Sequence, residues 1–195
     1  MQAADAIHYA HSKGIIHRDL KPANLMIAPR DRVILTDFGL ARDLAAATLT
    51  ASGAIMGTPM YMPPEQAEGK VEELDARTDV YALGASLYEV LTGSPIFAGE
   101  TVATVLNKVL GEEPRSLRSF VPELPREIEW IVLKALRKER ERRYQTAAEL
   151  RDDLKRFLEG GMVQARPTSI VHRAVRTVKR NQTASAALAA AALAI

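Results

Sequence analysis

The sequence predicts a mainly α-helical lobe with one small pair of β-strands at its active edge, and three observations predict it. Apolar residues recur at helical spacing over residues 2–13, 76–92, 101–110, 126–137 and 146–158. Two short apolar runs, 25–28 and 33–36, enclose turn chemistry at Pro29-Arg30-Asp31 and read as a strand pair. Residues with metal and phosphate chemistry gather at the ends of those strands instead of being scattered along the chain.

The first helix places Ala3, Ala6, Ile7 and Ala10 on one face and stops at Ser12-Lys13-Gly14, with Gly14 suited to a left-handed cap. In residues 76–92 the only charge after Asp79 is Glu89, so this helix is apolar nearly all round and belongs in the core. It is too short and too polar to span a membrane. Thr92-Gly93-Ser94-Pro95 ends it. The next helix carries Val102, Val105, Leu106 and Val109 and ends at Gly111. Pro125 opens another, with Ile128, Ile131, Ala135 and Leu136 facing inward and Trp130 as a packing residue. Thr146-Ala147-Ala148-Glu149 is a capping box for a last helix expected to bury Leu150, Leu154, Phe157 and Leu158.

Composition narrows the class. The chain has 195 residues, 47% of them hydrophobic and 26% charged, which fits one globular domain. A net charge of +2 gives no argument for nucleic acid. Without cysteine there are no disulfides and no thiolate metal sites. The chain opens in helix-like sequence, not in a basic-then-apolar signal peptide.

The chemistry centres on His17-Arg18-Asp19-Leu20-Lys21-Pro22-Ala23-Asn24, flanked by Ile15-Ile16 and Leu25-Met26-Ile27. Asp37-Phe38-Gly39 follows the apolar run Val33-Ile34-Leu35. Asn24 and Asp37 offer the hard oxygens that Mg²⁺ prefers. Lys21 offers a positive charge for a migrating phosphoryl group, and Asp19 can accept a proton from a hydroxyl.

These stretches, with Pro63-Pro64-Glu65 after them, resemble the signature set of the protein kinases. Lys21-Pro22-Ala23-Asn24 and Gly57-Thr58-Pro59 resemble the serine/threonine branch. The resemblance covers residues 1 to about 158 and the larger, C-terminal lobe only. It implies transfer of the ATP γ-phosphoryl to protein Ser or Thr, with ATP and Mg²⁺ as cofactors and protein substrates as partners. It implies that Asp19 is the base, that Lys21 stabilises the phosphoryl group, and that Asn24 and Asp37 hold the metal. Met26 would lie under the adenine, and Thr58 would bond Asp19 and Lys21. Gly39 completes the Asp-Phe-Gly motif. Asp79 would hold the backbone of the His17-Arg18-Asp19 turn, besides suiting a helix N-terminus as a carboxylate. Glu65 would pair with Arg143. Pro63 stands where the family usually has Ala.

The weakly patterned residues 40–56 read as a surface loop or, by the resemblance, as part of an activation segment from Asp37 to Glu65. Thr48, Thr50 and Ser52 are its candidate phosphosites, and Arg18 would receive a loop phosphate. No Gly-x-Gly-x-x-Gly occurs in these residues and sixteen precede His17, so a kinase N-lobe is expected as a partner. His17 and Phe38, which face that lobe in kinases, are expected at an exposed apolar surface. A non-catalytic docking or scaffold module is the alternative function.

Gly160-Gly161 suggests a domain edge. The expected organisation is a kinase C-lobe over 1–158, a basic juxtamembrane linker over 159–182, and the start of a transmembrane helix over 183–195. The linker carries Arg166, Arg173, Arg176, Lys179 and Arg180, and the residues from Thr183 are uncharged. An Ala-rich helical tail competes with the membrane reading. The basic flank favours the membrane, with the lobe on the cytoplasmic side of a single-pass anchor.

Overall fold

A computed structural model describes residues 1–38 and 59–166. Residues Met1–Ala165 form one compact unit. Its helices are α1 (Gln2–Ser12), α2 (Pro64–Ala67), α3 (Ala76–Thr92), α4 (Val102–Gly111), α5 (Arg126–Ala135) and α6 (Ala147–Leu158). Strands β1 (Leu25–Ala28) and β2 (Arg32–Leu35) form an antiparallel pair in which Leu25 faces Leu35 and Met26 faces Ile34. Arg30 and Asp31 take left-handed backbone angles between them (φ 65° and 54°), as a tight hairpin turn requires. Among the described residues no helix is long and apolar enough to cross a membrane.

The lobe is built around α3. Asp75 caps its N-terminus by accepting from the Arg77 N–H, and Gly93 closes its C-terminus at φ 70°. Thr78 to Ser86 are buried without a break. One side of the helix sends Val80 and Leu83 into a core shared with Ile7, Leu20, Ile131 and Leu150. The other sends Tyr81, Ala85 and Tyr88 against Phe97, Val105, Val109, Leu117 and Leu136. Such two-sided burial is why this helix reads as apolar all round. Helix α1 buries Ala4, Ile7 and Ala10. Its inward face is therefore centred on Ala4, with Ala3 and Ala6 at its margins. Gly14 sits at φ 75° and donates to the His11 carbonyl, ending α1 as expected.

Two details of α6 depart from the sequence reading. The Thr146 hydroxyl accepts from the Glu149 N–H, but Glu149 returns its bond to the Gln145 N–H, one residue before the cap. Leu158 is 70% exposed instead of buried. Its place in the core is taken from beyond the helix. The chain reverses at Gly160 (φ 72°), and Val163 and Ala165 return into the cluster that holds Leu150. Buried Asp153 fastens this return, accepting from the N–H groups of Gln164 (2.7 Å) and Ala165 (2.9 Å). The Tyr144 hydroxyl and Arg156 Nη1 also donate to it, each at 2.8 Å. Packing thus continues past the Gly160-Gly161 pair at which the sequence suggests an edge.

Candidate active site

The loop between α1 and β1 is held from below by one buried carboxylate. Asp79, in the first turn of α3 and wholly buried, accepts from the His17 N–H through Oδ2 and from the Arg18 N–H through Oδ1, both at 2.8 Å. His11 Nε2 lies 2.8 Å from the same Oδ2. A carboxylate can only accept, so Nε2 carries the proton. Arg18 itself is forced to φ 66°, a backbone state uncommon for a non-glycine residue and found where surrounding bonds overdetermine it.

His17 joins the two halves of the site. It is fully buried, its Nε2 donates to the Thr36 carbonyl (3.0 Å), and its Nδ1 accepts from the Asp19 N–H (3.4 Å). Phe38 packs on its ring at 4.5 Å between centroids and is half-buried. The expectation of an exposed His17 is therefore corrected. Within this lobe the imidazole is consumed by two backbone bonds and covered by Phe38. What stands exposed is the hairpin face carrying Met26 (55%) and Ile34 (43%), which the register sets opposite each other.

The polar groups converge above this support. Lys21 Nζ lies 3.0 Å from Asp19 Oδ2. Asn24, buried, spends its Nδ2 on the Asp19 carbonyl (2.8 Å), which fixes the amide plane and leaves Oδ1 as its acceptor end. The Thr36 N–H donates to the Asn24 carbonyl (3.1 Å), bringing the approach to Asp37 alongside Asn24. Asp37 is exposed at φ 56°. An oriented amide oxygen and an exposed carboxylate at adjoining strand ends are a donor set that fits a hard divalent cation. Arg18 Nε is buried with no acceptor among the described residues. Arg18, Asp19, Tyr61, Met62 and Gln66 line a shallow cleft beside it.

The far wall is braced by a second buried charge. Glu65, in the first turn of α2, receives Arg143 Nη1 and Nη2 at 2.7 Å each, and the Thr78 hydroxyl at 3.3 Å. Arg143 also donates to the carbonyls of Arg77, Arg137 and Lys138. Tyr61 donates to Glu89 at 2.5 Å, and burial with this carboxylate beside it raises the phenol well above its usual range.

The protein kinase domain family matches residues 1–157. The chain belongs to the protein kinases. It is 46% identical over 160 residues to serine/threonine-protein kinase PknB of Mycolicibacterium smegmatis and, over the same length, to PknB of Mycobacterium tuberculosis. It is 45% identical over 159 residues to PknB of Mycobacterium leprae. Each match covers 81% of this chain and 25% of the relative, so the chain spans about a quarter of the length of these curated kinases.

Against the protein kinase signature, the structure brings together Asp19, Lys21 and Asn24, ties them to Asp37 through Thr36, and pairs Glu65 with Arg143. Gly39, Thr48, Thr50, Ser52 and Thr58 lie outside the described residues, as do residues 167–195. Two residues were missed by the sequence reading. Gln66 donates to the Arg18 carbonyl (3.3 Å), and nothing in its neighbourhood signals that. His11 could have been found. It stands four residues after Ile7 on the buried side of α1, and a histidine there needs a polar partner.

Proposed function

We propose that this chain is the catalytic C-lobe of a protein serine/threonine kinase that transfers the ATP γ-phosphoryl to protein hydroxyls in signalling. The observation that carries the reading is the arrangement of Asp19, Lys21 and Asn24 on one loop, with Asp37 joined to it through paired backbone. Asp19 accepts the acceptor hydroxyl's proton and orients its oxygen. Lys21, 3.0 Å from that carboxylate, holds it in place and presents positive charge to the moving phosphoryl group. Asn24 Oδ1 and the Asp37 carboxylate would hold Mg²⁺, which supplies charge neutralisation to the phosphates when bound. Met26, exposed on β1, would support the adenine. Thr58 would bond Asp19 and Lys21. Arg18 Nε, buried and without an acceptor among the described residues, suits a phosphate on Thr48, Thr50 or Ser52.

The small lobe is a partner in this reading. The exposed Met26 and Ile34 face is where it would seat. The 195 residues contain no glycine-rich phosphate loop, so alone they should bind ATP weakly and transfer phosphoryl slowly. Misplacement by about 1 Å already costs roughly 100-fold. Residues 183–195 would open a single-pass membrane helix with the lobe on the cytoplasmic side, the basic stretch before them being the support.

The experiment is phosphorylation of a generic protein substrate by this chain joined to a kinase small lobe. Activity should appear on joining and fall by roughly 100- to 10,000-fold with Asp19→Asn. A joined protein whose activity survives both Asp19→Asn and Asp37→Asn would overturn the proposal.

A further inference from the structure

Both backbone polar groups of Arg18 are held, and by residues from different parts of the chain. A φ of 66° is a state that a non-glycine residue keeps only where its surroundings overdetermine it. The N–H donates to Asp79 Oδ1 at 2.8 Å, from below the loop. The carbonyl accepts from Gln66 Nε2 at 3.3 Å, from α2, 48 residues along the chain. A carbonyl can only accept, so the amide nitrogen of Gln66 and not its amide oxygen faces it. Asp79 is the support already described. Gln66 has no part in the proposed chemistry so far.

The Arg18 carbonyl and the Asp19 N–H belong to one planar peptide unit. Gln66 holds its oxygen edge, and His17 Nδ1 receives its N–H edge at 3.4 Å. Both bonds are long, so neither makes the other redundant. The next peptide unit is held by Asn24 Nδ2, which reaches the Asp19 carbonyl at 2.8 Å. With the planes on both sides of its Cα held, the direction in which Asp19 sends its carboxylate is set by backbone. Lys21, 3.0 Å from Oδ2, steadies the carboxylate itself but comes from the same loop. Gln66 comes from outside the loop, and it starts from a fixed point. Its own N–H donates to the Pro63 carbonyl at 3.1 Å, and Glu65 before it is locked by Arg143 at 2.7 Å. Gln66 and Asp19 line the same cleft.

We propose that Gln66 is a positioning residue for phosphoryl transfer, its bond to the Arg18 carbonyl fixing the peptide plane that aims Asp19 at the acceptor hydroxyl. The proposal rests on the reading of Asp19 as the base. Gln66 acts through the backbone of Asp19 and neither takes a proton nor touches the reacting atoms. Loss of such a hold is felt in the turnover of bound substrate and not in its affinity, because the aim of the base matters only in the transition state. The bond also makes the wall of the cleft and the base one unit, since α2 carries both Gln66 and the clamped Glu65.

The test compares Gln66→Met and Gln66→Glu in the chain joined to a kinase small lobe. Met keeps the length of the side chain and lacks the donor. Ionised Glu keeps the shape and presents only acceptors to a carbonyl. The expected order of kcat is parent, then Gln66→Met, then Gln66→Glu, whereas a packing role would favour Glu over Met. In Gln66→Met kcat should fall roughly tenfold with KM for the protein substrate unchanged, the scale of a sub-ångström shift where about 1 Å costs roughly 100-fold. Its thermal midpoint should match the parent's. In the 195-residue chain the amide nitrogen resonance of Asp19, which shares its peptide unit with the Arg18 carbonyl, should move in Gln66→Met. A parental kcat in either variant overturns the proposal. A raised KM with unchanged kcat overturns it by making Gln66 a substrate contact. A lower kcat with a lower thermal midpoint and an unmoved Asp19 resonance overturns it by making Gln66 a packing residue. Activity of the joined parent that survives both Asp19→Asn and Asp37→Asn removes the reading of the base and this inference with it, while the Asp19 resonance still reports whether the bond exists.

Discussion

Arg143 grips Glu65 with both terminal nitrogens, Nη1 on Oε1 and Nη2 on Oε2 at 2.7 Å, with the two side chains 0% and 4% exposed. The pair ties α2 to the segment ahead of α6, 78 residues away. The remaining donors of Arg143 satisfy three carbonyls, so the whole guanidinium is used. Arg143→Ala leaves a buried carboxylate and those carbonyls unmet and should lower unfolding free energy by about 3–5 kcal/mol. Glu65→Leu/Arg143→Met removes both charges and should cost less than the single change. Urea unfolding of the three proteins decides it. A double variant no more stable than Arg143→Ala would place the cost in the carbonyls and not in the charge pair.

His11 should matter to the loop that Asp79 holds. Its bond to Asp79 Oδ2 steadies the carboxylate that holds the His17 and Arg18 N–H groups. His11→Ala removes a hydrogen bond to a charged group in a nearly closed site, worth about 1.5–3 kcal/mol of stability. In the chain joined to a small lobe it should lower kcat more than it raises KM for the protein substrate, because the loop and not the docking surface is loosened. Steady-state kinetics of His11→Ala and Asp79→Ala check this. Asp79→Ala should be the worse of the two, since it orphans two backbone donors.

Most of the lobe was legible from residue patterning, and the exceptions have causes. The limits of α3 were legible because a stretch whose only charge after Asp79 is Glu89 ends at Thr92-Gly93-Ser94-Pro95; the Asp75 cap at its start is seen only in the structure. The loop residues were legible because motif spacing carries them. Leu158 was misread because the stripe of Leu150, Leu154 and Phe157 continues to it on paper. No periodicity reports that the chain turns at Gly160 and fills the core from Val163 and Ala165 instead. His17 was misread for a related reason. Its burial comes from Thr36 and Phe38, residues on the other side of the hairpin.

The crossing of α3 and α5 is set by a glycine. A Cβ built on Gly84 would lie 2.7 Å from the Ala135 Cβ and 3.4 Å from Leu136 side-chain atoms. Gly84→Ala should therefore cost about 1–3 kcal/mol through overpacking, against the roughly 1 kcal/mol that alanine normally gains in a helix. Ala135→Gly added to Gly84→Ala should return part of the loss by restoring the approach. Thermal midpoints of the single and double variants measure it, and a stabilised Gly84→Ala would show that the helices can separate freely.

The clamp at Asp153 has a pH signature. Burial pushes its carboxyl up, but the Gln164 N–H, the Tyr144 hydroxyl, Arg156 and the Ala165 N–H together outweigh burial and hold it below its ordinary 3.8. The unfolded chain therefore binds the proton more readily than the folded one. The stabilisation is complete above the ordinary carboxylate range and is lost as pH falls through the depressed folded value. Asp153→Asn should accordingly be destabilised relative to the parent by a constant amount between about pH 5 and 7, and the gap should close on acidification below about pH 4. Tyr144→Phe, which leaves three donors on the carboxylate, should lose about 1.5–3 kcal/mol, as for other hydrogen bonds to a charged group. The clamp also predicts where the loss appears first. Amide exchange at Gln164 and Ala165 should accelerate in Asp153→Asn well before that of α3, because the carboxylate receives them on different oxygens and an amide keeps only one acceptor oxygen, while the α3 ladder is untouched. Equal acceleration throughout the lobe would mean that residues 161–165 fold with the core as one unit and that Asp153 is simply part of it.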